Sequence, residues 1–471
     1  MSYRGYLIGG VAVILALIVG AWTHGVGYVP VTYYITTTGN DSNAGTSGSP
    51  WLTPNHAVNC GDVIIRAAGT YSSAHFIEGQ WGTVSNCPSS AGIYFASLKC
   101  AGPYVTSCVI NDTVENGMTI DKSNWAVIGA INSSTFGSCF SVNPFNGPSN
   151  IHHIALINVI ANGCQQSGIQ IYPYWTGPNQ YGVDELAIVG AIMYNGAQSG
   201  TECYSGISEY SPANVDNNPG THKFYAGIFS YANYAPHGCG SGANSDGNGF
   251  IFDDWSRDQN TSVAYTGQAV LEQSMFLGNG GGGIVCYSNT AASINITSTT
   301  TYGNIQDTVE STGGVFGDSS LTYCTPGTGT GTTSLTGSIM QATLQTQNSI
   351  NVYGVSVNNG SAKTTVSSNY IFGISGQNQN ASSSSGFSFS GNTNATPNFV
   401  NPVIPGAPSC SSYATTTACM AATIANFVPQ AVGAAGLGYQ APSSCTPDAY
   451  FPTWLAGVLP IGLITQPCGT N

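Results

Sequence analysis

Charged side chains are scarce in this chain. Of its 471 residues, 20 are Asp or Glu and 7 are Lys or Arg, so charged residues make up 6% of the sequence, against roughly 25% in ordinary soluble domains. Glu, Lys and Arg also stabilise long helices, and their scarcity disfavours a helical protein. The abundance of Thr, Val, Ile, Tyr, Gly and Asn favours strands and turns instead. The composition predicts an all-β fold.

Positive charge is scarcer still, and the formal net charge is −13. Nucleic acids and anionic membrane surfaces bind through clustered Lys and Arg, which this sequence lacks, so we expect no nucleic-acid partner. An acidic polysaccharide would be repelled by the net charge unless a cation bridged the two.

Cys-x-x-Cys pairs are also missing, although the chain has 14 cysteines, so zinc or redox motifs of that kind are not supported. The first residues contain one Arg followed by an apolar run over 5–22, which is typical of an export signal or a single membrane anchor. We therefore predict an exported protein, extracellular, cell-surface or periplasmic, whose cysteines mostly form disulfides. Cys410–Cys419 and Cys445–Cys468 are predicted as local pairs.

A five-residue frame recurs along the middle of the chain: Gly, an apolar residue, two variable residues, and then Tyr. Short strands that repeat in this way, with Gly and Asn at the corners, predict a parallel β-solenoid in which each turn stacks on the next. We divide the chain into residues 1–30 (signal or anchor), 31–400 (solenoid) and 401–471 (a Cys- and Pro-containing cap over the last turn). The frame occurs as GIQIY (168–172), GISEY (206–210), GIFSY (227–231), GFIFD (249–253) and GIVCY (283–287).

The period of two along a strand predicts which side chains face outward. The residue after each Gly should face inward, and the fifth residue should face outward. Asp253 then stands in a row otherwise made of Tyr172, Tyr210, Tyr231 and Tyr287. Glu209 falls on an inward position, and we favour a surface residue in shifted register over a buried acid.

Two segments resemble the right-handed parallel β-helix proteins related to pectate and other polysaccharide lyases. Residues 33–71 contain Tyr-Tyr, Gly-Asn-Asp-Ser-Asn-Ala-Gly-Thr, Pro-Trp and Gly-Asp-Val-Ile, as in the entry strands of that family. Residues 275–287 (MFLGNGGGGIVCY) are similar to its central turns. The resemblance covers roughly 31–400 and implies an all-β, right-handed, single-stranded parallel β-helix.

The resemblance also implies chemistry. In some of these lyases, Asp side chains on adjacent turns bind Ca²⁺, which neutralises a uronate, and a Lys or Arg removes the neighbouring proton. Polygalacturonases of the same fold use three carboxylates, with a Gly-Asp-Asp and a His-Gly, similar to Phe-Asp-Asp-Trp at 252–255 and His-Gly at 237–238. The residues that carry these roles here would be Asp246, Asp253 and Asp254 for the metal, and Asp253, Asp254, Arg257, Lys223 and His237 for catalysis.

Each of these assignments has a structural alternative. Asp246 is also typical of an Asx turn, and Asp253 and Asp254 of strand-end caps. The tyrosines would bind sugar rings or would stack only for stability. The residues predicted to contact substrate are Tyr172, Tyr210, Tyr231, Tyr287 and Trp255.

The sequence therefore predicts an exported β-helix protein that acts on or binds polysaccharide or a cell-surface glycan. A Ca²⁺-assisted lyase and a carboxylate-dependent glycoside hydrolase are the two enzymatic forms of this prediction. The alternative is a non-catalytic structural, adhesive, virion or filament protein, anchored through residues 5–22 or assembled as a homo-oligomer.

Overall fold

The structure is a computed structural model. The residues that it describes are 28–112, 116–145, 147, 149–176, 179–199, 204–215, 220–233, 247–257, 263–307, 316–320, 330–347, 350–358, 364–382, 388–425, 427–431, 434, 437–438, 451–455 and 458. Most of the predicted signal or anchor, together with His237, Asp246, Cys445 and Cys468, lies outside them. In the described part, no helix has both the length and the apolar character needed to span a membrane.

The described residues form 32 strands, one α-helix and four short 3₁₀-helices. The first sixteen strands are β1 (Thr32–Ile35), β2 (Val58–Asn59), β3 (Val63–Arg66), β4 (Gly69–Ser72), β5 (Val84–Ser85), β6 (Ala96–Cys100), β7 (Cys108–Asp112), β8 (Met118–Ile120), β9 (Trp125–Ser134), β10 (Phe140–Val142), β11 (Ile154–Asn162), β12 (Ile169–Ile171), β13 (Tyr174–Thr176), β14 (Asn179–Tyr181), β15 (Leu186–Tyr194) and β16 (Ile207–Tyr210).

The remaining elements continue the same succession of short strands. They are β17 (Thr221–Tyr231), β18 (Phe250–Asp253), β19 (Gln268–Glu272), β20 (Met275–Leu277), β21 (Ile284–Tyr287), β22 (Ser293–Thr297), β23 (Thr300–Tyr302), β24 (Phe316–Ser320), β25 (Thr332–Thr336), β26 (Ile339–Gln341), β27 (Thr346–Gln347), β28 (Ile350–Asn358), β29 (Thr364–Ser367), β30 (Tyr370–Phe372), β31 (Gln379–Ser382), β32 (Ser388–Ser390) and α1 (Thr416–Thr423). The 3₁₀-helices are Ser73–His75, Ser89–Ala91, Ile374–Gly376 and Thr453–Leu455.

Parallel strand pairing forms three faces of the described fold, of which the first and second belong to one 18-stranded sheet. The first face pairs β1, β3, β6, β9, β11, β15, β17, β19, β22, β25, β29 and β32 in that order. The second face pairs β4, β7, β9, β11, β15, β17, β20, β23, β26 and β30. The third face pairs β8, β10, β12, β16, β18, β21, β24, β28 and β31. Strands from successive turns pair in parallel on all three faces, which confirms the predicted parallel β-helix.

The corner between the first and second faces explains the recurrent Gly and Asn. Strands β9, β11, β15 and β17 each belong to both faces and bend in the middle. The residue at the bend has a left-handed φ in every case: Gly129 (75°), Asn158 (52°), Gly190 (62°) and Gly227 (62°). Gly and Asn adopt this conformation at lower cost than other residues, so they mark the corner in the sequence.

The glycines of the third face have a different task, which is close approach between turns. Ile207 lies opposite Ile169 and Phe250 in the sheet, and all three are fully buried, as predicted. A Cβ built on the preceding Gly206 would lie 2.1 Å from Ser230 Oγ and 2.7 Å from Gly249 O. Any side chain here would collide with the adjacent turn, because real Cβ contacts are not this short.

All five frames are predicted from the sequence to lie on one face of the solenoid, and for one of them this is wrong. Residues 227–231 (GIFSY) lie in β17, where Gly227 is the bend and the following residues belong to the second face. Tyr231 therefore lies on a different face from Tyr210 and Tyr287. The sequence frame did not show this, because Gly occurs both at the bend between faces and at the close contact between turns.

Stacked asparagines occupy the corner that joins the second and third faces. Asn233 donates from Nδ2 to Asn279 Oδ1 at 3.0 Å, and Asn279 donates from Nδ2 to Asn304 Oδ1 at 2.9 Å. All three side chains are buried. Each amide satisfies its neighbours on the adjacent turns, so the ladder holds the turns in register.

The tail after residue 400 packs along the side of the solenoid. Tyr413 O accepts a hydrogen bond from Val105 N at 3.1 Å, and Thr416 Oγ1 donates to Gly190 O at 2.6 Å. Trp454 Nε1 donates to the carbonyl of Thr221 at 3.0 Å. The tail also reaches a later turn, where Gly438 N donates to Gly337 O at 2.8 Å. Its described residues therefore lie along the side of the turns, and a separate cap over 401–471 stays a prediction.

This packing leaves the three faces in different environments. Outward side chains of the second face, such as Phe229, lie in a cluster with Met420 and Phe427 of the tail. Outward side chains of the first face, such as Phe224, lie in a cluster with Trp454. The tail thus buries apolar residues on the outer sides of these two faces.

Four disulfides lie within the described residues. The predicted pair Cys410–Cys419 is confirmed. The others are Cys60–Cys87, Cys100–Cys108 and Cys139–Cys164, and no described cysteine is free.

We expect Asn279→Ala to lower the free energy of unfolding by about 2–3 kcal/mol, because it removes the two buried hydrogen bonds that Asn279 Oδ1 accepts from Asn233 and the one that its Nδ2 donates to Asn304. Asn295→Ala is the control, since that side chain is partly exposed on β22, and a loss within about 0.5–1 kcal/mol is expected. Urea unfolding measures both. Equal losses in the two variants would contradict a stabilising ladder.

Candidate functional site

The outer side of the third face carries three residues in register at the ends of adjacent strands. Asp253 lies opposite Tyr210 on one side and opposite Tyr287 on the other. Tyr210 and Asp253 are partly exposed, and Tyr287 is 43% exposed. Asp253 therefore occupies a position between two outward tyrosines, as predicted, over these three turns.

Aromatic side chains extend this row toward the N-terminal turns. The hairpin of β13 and β14 presents Trp175, which is 43% exposed, with its ring centroid 6.0 Å from that of Tyr210. Tyr172 follows β12 and is half-buried. Burial, reinforced by the charge of Glu78, raises the pKa of Tyr172 to about 12, so its phenol stays a neutral hydrogen-bond donor at ordinary pH. We call Tyr172, Trp175, Tyr210, Asp253 and Tyr287 the aromatic row.

The geometry suits recognition of a hydroxylated chain with apolar faces. Aromatic rings bind the C–H faces of sugars by dispersion and burial, while phenols and a carboxylate pair with hydroxyl groups. Parallel turns are about 4.8 Å apart, so the three registered residues span about 10 Å along the fold axis.

Asp254 does not share the position of Asp253. It follows the last residue of β18, has a left-handed φ of 48° and is fully buried. Ser211 Oγ donates a short hydrogen bond to its carboxylate. A carboxylate held inside in this way does not join Asp253 on the outer surface. A Ca²⁺ site or acid–base pair shared by these two residues therefore stays a prediction that this arrangement does not support.

The predicted bases are also buried. Lys223 is fully buried, with Nζ 2.7 Å from Glu209 Oε1 and 2.9 Å from Val183 O. Arg257 is 6% exposed and donates from Nη2 to Gln180 Oε1 at 2.8 Å. Burial lowers the pKa of Arg257, although the charge of Asp254 opposes the shift. Neither side chain is presented on the aromatic row, so their role as its base stays a prediction that their burial does not support.

Two of the predicted substrate-binding residues are inside the protein. Trp255 is fully buried and donates from Nε1 to the carbonyl of Glu209 at 3.3 Å. Tyr231 is fully buried beneath the tail, and its hydroxyl donates to Gly406 O at 2.9 Å. Both contribute to packing, because the turn after β18 and the tail enclose them.

A buried polar network lies inside the solenoid behind the aromatic row. Glu209 is a fully buried acid, which corrects our preference for a surface position. It pairs with Lys223 and accepts a short hydrogen bond from the Tyr225 hydroxyl. The signal in the sequence was Lys223 itself, a cation in a fully buried strand that is rich in aromatic and apolar residues (THKFYAGIFSY).

Asp184 is the second centre of this network. Its carboxylate accepts from the Tyr265 hydroxyl at 2.7 Å and from Val215 N at 2.9 Å, and lies 3.2 Å from His222 Nδ1. Burial alone would raise the pKa of Asp184, but hydrogen bonding to His222 and the nearby charge of Lys223 outweigh it and lower the pKa. The network therefore fixes the loops that follow the third face.

Metal-ligating side chains converge elsewhere. Within the described ranges, the one group of three consists of His152, His153 and Glu185, at the corner where the first face begins.

Comparisons with known proteins show no family for this chain. No protein-family model matches the chain, and no curated protein matches it. Solved structures that resemble it are pectate lyase Pel9A (16% identity, 79% of this chain and 84% of that one, TM-score 0.44), the mannuronan C-5 epimerase A-module of Azotobacter vinelandii (11%, 71% and 91%, 0.34) and an alginate lyase of Paenibacillus (12%, 78% and 99%, 0.35). At these values the fold assignment rests on the strand pairing described above.

We expect Lys223→Met to lower the free energy of unfolding by about 3–5 kcal/mol, because Glu209 would be left buried without its cation. The double variant Glu209→Leu/Lys223→Met should lose less than this single variant. Lys99→Met, at a partly exposed position, is the control with an expected change within about 0.5 kcal/mol. Additive losses in the double variant, measured by urea unfolding, would contradict coupling.

The lowered pKa of Asp184 gives a signed pH dependence. The pKa of Asp184 is lower in the folded protein than its unfolded value of 3.8. The carboxylate therefore stabilises the fold above pH 3.8, and this stabilisation is lost as the pH falls through the folded pKa. The stability difference between wild type and Asp184→Asn should thus be constant near neutrality and shrink below about pH 4. Unfolding curves at pH 7, 4 and 3 measure it, and a difference that grows on acidification would contradict the assignment.

Proposed function

We propose that this protein is exported and binds polysaccharide along the aromatic row of its third face. The observation that carries the proposal is the registered trio Tyr210, Asp253 and Tyr287, with Trp175 beside it. Four disulfides in the described residues support an oxidising compartment, where such bonds persist.

The position of the row supports a binding surface. The tail buries apolar outward residues on the first and second faces, whereas Tyr287 on the third face and Trp175 on the neighbouring hairpin each stay 43% exposed. Exposed aromatic residues in a group mark interaction sites more often than isolated ones do. A linear chain lying along the fold axis would contact successive turns in the same way.

The charge of the row favours a neutral polysaccharide. Asp253 offers a carboxylate to sugar hydroxyls, and the chain as a whole has a net charge of −13. A uronate polymer would meet repulsion from both unless a cation intervened.

Binding is better supported than catalysis. Lys223 and Arg257 are buried, so neither serves as a proton acceptor at the row, and Asp254 does not provide a second carboxylate beside Asp253. The burial of these described residues supports polysaccharide binding as the form of recognition that we propose, and His237 and Asp246 lie outside the described residues.

We expect Trp175→Ala and Tyr210→Ala each to weaken binding to a neutral polysaccharide about tenfold, equivalent to about 1.4 kcal/mol. Affinity electrophoresis against a panel of neutral and uronate polysaccharides would find the ligand, and calorimetry would measure the loss. Tyr104→Ala is the control, since Tyr104 is 44% exposed outside the aromatic row. Equal weakening by the control variant, or binding only to uronates, would contradict the proposal.

Asp253→Asn separates binding from catalysis. We expect it to weaken binding while neither wild type nor variant releases reducing or unsaturated sugar ends from the bound polysaccharide. Product release by wild type that disappears in Asp253→Asn would establish an enzyme and refute the non-catalytic form.

A further inference from the structure

We propose that His152, His153 and Glu185 form a binding site for a divalent transition-metal ion of the zinc class. His153 Nδ1 lies 2.7 Å from His152 Nδ1 and 2.7 Å from Glu185 Oε2. His152 Nδ1 lies 3.6 Å from the same carboxylate oxygen. Three donor atoms from two adjacent turns thus face one another.

The backbone of the corner creates this convergence. Ile154 pairs with Leu186, so His153 and Glu185 occupy equivalent positions just before β11 and β15. Both have a left-handed φ, of 54° and 44°. In an extended strand, adjacent histidines would point to opposite sides. The left-handed turn at His153 instead brings both Nδ1 atoms together, in a conformation that non-glycine residues seldom adopt.

His153 Nδ1 lies within hydrogen-bonding distance of both other donor atoms, at 2.7 Å from each. His153 Nδ1 either carries a proton or offers a lone pair. If it is protonated, its single hydrogen serves one of two neighbours that are both 2.7 Å away. If it is unprotonated, it accepts a hydrogen bond from His152 Nδ1, and its lone pair then faces the Glu185 carboxylate. A cation would pair with two imidazole lone pairs and the carboxylate at once.

The donor set selects the kind of ion. Two imidazole nitrogens and one carboxylate oxygen suit Zn²⁺ and its transition-metal neighbours, whereas Ca²⁺ requires six to eight oxygen ligands. In a tetrahedral zinc site with bonds of about 2.0–2.2 Å, neighbouring donors lie about 3.3–3.5 Å apart. The separations of 2.7, 2.7 and 3.6 Å bracket this spacing. Three protein ligands leave a fourth position for water or another ligand.

The surroundings hold the ligands in place and leave one side accessible. The ring of His153 stacks on Tyr94, with centroids 4.6 Å apart and an interplanar angle of 7°, and meets Trp454 edge-on at 5.6 Å. Glu185 N donates to Asp184 Oδ1 at 2.9 Å, which ties the third ligand to the buried network. The side chain of His152 is 31% exposed, so an ion has a route of entry from solvent.

The experiment uses the full chain, purified without a histidine tag and freed of metal by chelation. Equilibrium dialysis with Zn²⁺, read by elemental analysis, is expected to give one saturable site, and Ca²⁺ is expected to bind it more weakly. His152→Ala and Glu185→Gln should each weaken zinc binding by at least about 10–100-fold, the loss typical of perturbing a metal site. His75→Ala is the control, because His75 is a partly buried histidine on a different turn, and its affinity should equal that of wild type.

Two variants keep the test decisive. His152 is partly exposed and Glu185→Gln conserves size, so at least one should keep the wild-type circular dichroism spectrum. The proposal is overturned if wild type shows no saturable zinc site, if the folded variants bind zinc as tightly as wild type, or if Ca²⁺ binds more tightly than Zn²⁺.

Discussion

Parallel pairing between successive turns is the interaction on which the rest of this structure depends. The backbone of each strand exchanges hydrogen bonds with the turns before and after it. Residues at equivalent positions in successive turns therefore form a column whose side chains all point inward or all point outward. Buried columns form one continuous apolar core, and outward columns form rows on the surface. The row of Tyr210, Asp253 and Tyr287 exists because three strands of four residues pair without a shift.

Close approach between turns limits which residues the columns accept. Gly206 has no room for a Cβ, and Asn279 is bonded on both sides by like residues. The buried pair of Glu209 and Lys223 then joins the third face to the first across the interior. The buried polar contacts hold the loops after the third face against the core. Polar side chains that take part in these contacts are therefore not available at the surface.

The sequence predicted a residue's orientation correctly where that orientation depends only on its position within its own strand. The Gly-apolar frame predicts the third face and its outward row, since steric exclusion and period two act locally. It fails at residues 227–231, because Gly227 serves a left-handed bend and not a close contact. Asp254 and Trp255 were misjudged for a related reason: the turn after β18 changes the direction of the chain, and period two no longer applies there.

Long-range partners account for the other differences. Tyr231 is buried because a tail far along the chain covers its face, and Lys223 is neutralised by an acid on another sheet. His152 and His153 had no recognisable ligand spacing in the sequence, because Glu185 joins them only through the stacking of turns. Such pairings depend on turn lengths, which vary from one turn to the next and have no local signature.

A crystal structure of the protein soaked with an oligosaccharide of the polymer that it binds would test the central claim most directly. The account predicts sugar rings lying along the fold axis against Trp175 and Tyr210, with a hydroxyl hydrogen-bonded to Asp253. Sugar bound on the first or second face, or lying across the turns away from Asp253, would contradict it.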